Sequence, residues 1–173
     1  MISGTEHRED VRGGGCFIRR ADDYAPGIGP ALDLAQDYDA SATAALRHYA
    51  GSTKRQVALL VLGRYPVHAD GGSRALKMMT AQCAQSETFL NRYGPITSLV
   101  RPHVRADLGD AVTLAHQTSL GDGVGESTIT LVDRQRGGTV ELTAEVFSSG
   151  WRKFVLLYRR SIFSGPRVRV MLS

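Results

Sequence analysis

A chain of 173 residues, 42% hydrophobic and 22% charged, is the size of one ordinary domain and can build an apolar core, which excludes a disordered chain. Its longest apolar run, Val57 to Gly63, is far too short to cross a bilayer, so no transmembrane segment is expected. The net charge of +4 comes from short, scattered clusters such as Arg19-Arg20, Arg134-Gln-Arg136, Arg152-Lys153 and Arg159-Arg160; a solvated surface accounts for them, and no nucleic-acid partner is expected.

Residues 1–29 are rich in Gly, Arg and Asp and carry no hydrophobic period, so they are expected to form a flexible N-terminal arm, with 30–173 as a single α+β domain. The first fifteen residues are polar and charged and do not read as a signal peptide. Residues 30–50 follow a helical pattern through Leu32, Ala35, Ala42, Ala45, Leu46 and Tyr49, with Asp39 or Ser41 as an N-cap and Gly51 as a stop. Gln56–Tyr65 is almost continuously apolar and predicts a strand buried near the centre of a sheet, ended by Pro66. Asp70–Ser73 is a turn. Residues 73–92 then place Ala75, Leu76, Met79, Cys83 and Leu90 close to one helical face, which predicts a long helix stopped at Gly94-Pro95.

The second half predicts strands. Ser98–Arg105, interrupted by Pro102, suits an edge or irregular segment; Ala111–Thr118 alternates apolar and polar residues. Ser127–Arg134 and Thr139–Phe147 form a predicted hairpin around Gly137-Gly138, with Val140, Leu142, Ala144 and Val146 on one face of the second strand. Trp151–Tyr158 is the last clear strand, and Val168–Leu172 suits one more short one. The expected fold is α+β: an antiparallel sheet of about five to six strands, with two main helices packed on one face.

Chemistry-bearing patterns are sparse. Gly13-Gly-Gly15 precedes no strand–helix unit and Gly121-Asp-Gly-Val-Gly125 sits between strands instead of opening a helix, so neither is a phosphate loop and both read as turn chemistry. No HExxH or HxH pairing occurs, and neither a metal nor another cofactor is expected. Glu141 and Glu145 share one strand face, where an exposed polar face explains them as well as acid–base work does. Trp151 and Phe154, near Phe147 and with His116, are candidate ligand-binding residues; as side chains of the last strand they also suit a core. An enzymatic alternative would use His116 and Asp110 as acid–base residues, with Glu141 and Trp151 lining the pocket. The two cysteines, Cys16 and Cys83, are free in a reducing compartment, or close one disulfide if the protein is exported.

Arg55–Tyr65, Ala75–Cys83, Leu108-Gly-Asp110 leading into Val112–Gln117, and the strand pair Thr128–Val132 and Thr139–Val146 together resemble the PknH-like extracellular sensor domains of actinobacteria, found on kinases and as lipoproteins. Only three of the 21 basic residues are lysine, which fits the GC-rich genome of such an organism. The resemblance covers roughly residues 31–158 and implies a non-catalytic domain outside the membrane. Its partner would be a small ligand or envelope component, Cys83 would be a disulfide cysteine on a helix, and no catalytic residues carry over. An extracellular or membrane-associated setting requires a leader upstream of Met1; otherwise the chain is cytoplasmic. The alternatives are a small enzyme of cone-shaped α+β type and a cytoplasmic interaction protein.

Overall fold

A computed structural model describes residues 15–68, 74–99, 111 and 113–160. Among these residues, five antiparallel strands form one sheet in the order β2-β1-β5-β4-β3, from β1 (Val57–His68), β2 (Arg74–Gln85), β3 (Val124–Val132), β4 (Thr139–Ser148) and β5 (Arg152–Tyr158). The α+β class and the antiparallel sheet agree with the sequence expectation. Strand β1 is interior, as its apolar run predicts, and β5 holds the centre.

Strand periodicity shows why both faces must be covered. Val57, Leu59 and Val61 enter one hydrophobic cluster with Phe154, Leu156 and Tyr158; the alternate residues Ala58, Leu60 and Leu62 enter a second with Val155 and Leu157. Successive strand side chains point to opposite faces, so β1 and β5 are buried on both. On the first face lie α1 (Gly15–Asp23), α2 (Ile28–Asp37) and α3 (Ala42–Ser52). On the second lie α4 (Glu87–Tyr93), Ile96 of α5 (Ile96–Leu99), and Ala111 and Ala115 of a helical stretch around 113–117. Helices on both faces replace the expected pair on one face, because a single layer would leave half of the apolar residues of β1 and β5 in water.

Three element expectations are corrected. The long helix over 73–92 is instead strand β2 followed by α4. Its helix-forming residues are overridden because β1 needs a hydrogen-bonding neighbour on that side, and β2 supplies it from Ala58↔Gln85 to His68↔Arg74, with a bulge at Val61/Leu62. Ser86 then caps α4, its Oγ accepting from the Phe89 N–H at 3.1 Å and from the Val57 N–H at 3.2 Å. The expected strand at Ala111–Thr118 is helical over 113–117; Ala111 and Ala115, four apart, are both fully buried, and the Thr118 hydroxyl donates to the Leu114 carbonyl at 2.7 Å. The flexible arm does not extend through residues 15–29. Helix α1 buries Phe17 and Ala21, also four apart, and α2 begins at Ile28.

Smaller features follow the sequence more closely. Ser41 caps α3, its Oγ accepting from the Ala44 N–H at 3.2 Å, while Gly51 lies inside the helix and Thr53 ends it. Ser98, expected to open an edge strand, lies in α5; residues 100–110, with the rest of that segment, lie outside the described residues, as do the Asp70–Ser73 turn and Val168–Leu172. The hairpin of β3 and β4 pairs Val124↔Phe147 through Val132↔Thr139, and Gly137 and Gly138 turn it with φ of 71° and 75°.

Candidate functional site

On the first face, the helical layer ends over β4. There α2, the turn into α3 and the start of β3 enclose a cleft of about 410 Å³, lined by Leu32, Ala35, Val124 and Phe147 along its apolar wall and by Asp33, Gln36 and Asp39 along its polar one. No basic side chain lines it, and neither Asp33 nor Asp39 has an ion-pair partner among the described residues. Asp39 has φ 48°, in the left-handed region, which Asp tolerates better than most residues. That conformation reverses the chain between α2 and α3.

A carboxylate fixes the wall of this cleft. Two residues before Phe147 on the same face of β4, Glu145 accepts the Ile28 N–H at 2.6 Å and the Tyr158 O–H at 2.7 Å. The N-cap of α2 is Gly27, which has no side chain to offer; Glu145, distant in sequence, takes the capping role instead. A Cβ at Gly27 would come within 3.3 Å of Glu145 Oε2, so glycine leaves room for the carboxylate. Burial pushes the Tyr158 phenol well above its usual range, and the adjacent Glu145 charge adds to the shift. Tyr49, in the same layer, is pushed up to about 12, chiefly by burial. Nearby, the Thr53 hydroxyl donates to Asp22 Oδ1 at 2.5 Å and the Arg55 guanidinium to the Asp22 carbonyl, tying α1 to the end of α3.

A second polar network lies away from the cleft. Arg92 of α4 donates through Nε and NH2 to Asp133 Oδ2 at 2.9 and 2.6 Å, and Oδ1 accepts the N–H groups of Gln135 and Arg136 at 3.1 Å each. The Arg92 hydrogen bonds hold the Asp133 carboxyl below its usual range. Every acceptor is engaged inside the protein, so this network fastens the β3–β4 turn to α4.

The residues singled out from sequence do not converge. Trp151 is 77% exposed in the turn between β4 and β5, whereas Phe154 is fully buried in the first-face core, with its ring 6.1 Å from that of Phe147. His116 is exposed on the helical stretch of the second face, and Glu141 is exposed on β4. Asp110 lies outside the described residues. Trp151, Phe154 and His116 therefore do not form one ligand site, because Phe154 and the 113–117 helix belong to opposite faces of the sheet. Glu141 and Glu145 share a face, as the alternation requires, yet only Glu145 lies beneath α2. The expectation that this face is wet fails at Thr143, which is buried, and at Glu145, which is half-buried. Cys83 is a free thiol on β2, half-buried against the second cluster; its expected helix is absent, and so is the Cys16–Cys83 disulfide. Cys16 belongs to α1, in the layer on the other face, and its side chain lies outside the described residues. Among the described residues, no group of three or more His, Cys, Asp or Glu side chains is placed to hold a metal.

The sequence missed Asp33 and Asp39. Nothing in their spacing distinguishes them from the solvated face of a helix, and Asp39 reads from sequence as a helix cap. Among known proteins, the chain matches no family model and no curated sequence.

Proposed function

We propose that the chain is a non-catalytic ligand-binding domain whose cleft between α2 and the β3–β4 edge takes a small molecule with an apolar body and a cationic group. The cleft carries the proposal: Leu32, Val124 and Phe147 line it together with Asp33 and Asp39, whose carboxylates have no ion-pair partner among the described residues. Ligand sites are concave and mostly apolar, with a few placed polar groups that set orientation. Two carboxylates without a cationic neighbour among the described residues favour a positive charge, and the Phe147 ring adds to that preference where its face is reachable. The non-catalytic part rests on the described lining, which joins no histidine, serine, cysteine or lysine to those carboxylates. A sensor-like role in an actinobacterial envelope belongs to the same proposal and rests on the sequence resemblance alone.

The test is methyl chemical-shift perturbation with 2-phenylethylamine and its uncharged counterpart propylbenzene. The amine is expected to shift Leu32, Ala35 and Val124 and to bind more tightly than the hydrocarbon. Asp33→Asn combined with Asp39→Asn is expected to abolish that preference, and Phe147→Ala to weaken both ligands. Equal binding of the two probes, or shifts confined to other parts of the domain, would overturn the assignment.

A further inference from the structure

The turns at 119–123 and 149–151 lie side by side at one end of the sheet. Strand β3 starts with Val124 opposite Phe147, so the chain leading into it runs past Ser148 and alongside the β4–β5 turn. Both turns are held by hydrogen bonds: the Ser119 N–H to Asp122 Oδ2 at 2.5 Å in the first, and the Ser149 N–H to the Arg152 carbonyl at 3.0 Å in the second. Turn tips of this kind favour Gly, Asn, Asp and Ser. Here they carry Leu120, 72% exposed, and Trp151, 77% exposed, with Val124 next to them at 44%. None of the three enters either core cluster, so packing does not explain them.

Basic groups flank the tips from β1 and β5, and the carboxylates Asp33 and Asp39 line the cleft beside β3 and β4. Arg152 and Arg64 are exposed, and Arg152 is steadied by donating to the Thr43 hydroxyl at 3.1 Å. Lys153, paired with Leu62 on β1 and Ser148 on β4, lies close enough to feel both Arg64 and Asp122. Within the turns at 119–123 and 149–151 the acidic group is Asp122, and its carboxylate accepts the Ser119 N–H.

We infer that this end of the sheet docks on an anionic lipid surface, with Trp151 and Leu120 entering the interface and Arg64 and Arg152 meeting lipid phosphates. Tryptophan favours the headgroup level of a bilayer, leucine the acyl region, and basic side chains the negative surface potential. Leu120 and Trp151 stand exposed in two neighbouring turns at the end of the sheet, where short tips can enter a lipid interface without unfolding the strands behind them. Gly123 and Val124 also line the cleft, so docking would hold the cleft beside the lipid. The inference does not depend on what the cleft binds.

Trp151 is the only tryptophan in the chain, so its fluorescence reports directly on this end. The full chain is titrated with vesicles of phosphatidylcholine alone and of phosphatidylcholine mixed with phosphatidylglycerol. The mixed vesicles are expected to shift the emission to the blue, with quenching by bromine-labelled acyl chains and reversal by salt. Leu120→Asp, at an exposed tip, is expected to leave the melting temperature unchanged and to weaken vesicle binding by at least roughly tenfold. Emission unchanged by either vesicle, or vesicle binding insensitive to Leu120→Asp, overturns the inference. A blue shift that follows protein concentration without lipid also overturns it, since the tips would then join copies of the chain.

Discussion

Glu145→Ala is the substitution that best tests how the cleft is built. It removes the acceptor of the Ile28 N–H at the start of α2 and of the buried Tyr158 hydroxyl. Loss of an N-cap acceptor costs about 1 kcal/mol, within a range of ~0.5–2. A hydroxyl left buried without a partner costs about 1–3 kcal/mol, and Tyr158 is only 5% exposed. The two losses share one carboxylate and need not add, so the expected total is roughly 2–4 kcal/mol. For a domain of this size that corresponds to a fall in melting temperature of roughly 5–15 °C. Glu145→Gln keeps an acceptor and should cost about half as much. Urea denaturation of both variants and of Tyr158→Phe, completed as a double-mutant cycle, gives the coupling between Glu145 and Tyr158 directly. If Glu145→Ala costs less than ~0.5 kcal/mol, as an ordinary surface residue would, Glu145 is not the cap of α2.

Leu142→Asp should unfold the domain, because Leu142 is 1% exposed and an unpaired buried carboxylate costs several kcal/mol against a total of ~5–15 kcal/mol, whereas Glu141→Ala should cost under ~0.5 kcal/mol. Circular dichroism separates them, and a folded Leu142→Asp would mean that the strand register is shifted by one. Cys83→Ala should cost about 1 kcal/mol, and the wild-type melting temperature should be the same with and without reductant; a reductant-dependent drop would contradict the free thiol. Asp133 has a folded pKa below its unfolded value near 3.8, so its contribution is fully present above that value and is lost as pH falls through the folded one. Urea midpoints measured from neutral into acid should therefore fall more steeply for the wild type than for Asp133→Asn; parallel curves would show that the Arg92 pair does not lower the Asp133 pKa.

The parts of the fold legible in the sequence are those governed by local pattern. The apolar alternation of Val140, Leu142, Ala144 and Val146 sets the buried face of β4, and Gly137-Gly138 sets its turn. Strand β2 was not legible, because Ala75–Cys83 consists of residues that suit a helix and only the hydrogen-bonding demand of β1 makes it a strand. Helix α1 was hidden for a different reason: among its described side chains Phe17 and Ala21 are buried and Ile18 partly so, in a segment that also carries Arg19, Arg20, Asp22 and Asp23. The site was less legible than the fold. Phe147 and Val124 meet Leu32 and Asp33 only through pairings more than ninety residues apart in sequence, and the alternation of Glu141, Thr143 and Glu145 gives no sign that a second helical layer stops partway across it.

That partial cover explains why the cleft sits where it does. Val57, Leu59 and Val61 on β1 and Phe154, Leu156 and Tyr158 on β5 are buried on the first face, so the helical layer covers these stretches of both strands. On β4 the same face changes character along the strand: Thr143 is buried, Glu145 and Phe147 are partly buried, and Glu141 is exposed. On β3 it is open throughout, with Val124, Glu126, Thr128, Thr130 and Val132 all exposed. A helix lying on a sheet cannot end its cover without leaving a step, and β4 is where α2 ends its cover. The step is closed on the β5 side by the Glu145–Tyr158 hydrogen bond and stays open on the β3 side, where Val124 and Phe147 form one wall and Asp33 and Asp39 the other. A fully apolar face on β3 and β4 would have called for one more covering element and filled the cleft; their polar residues keep it open to solvent.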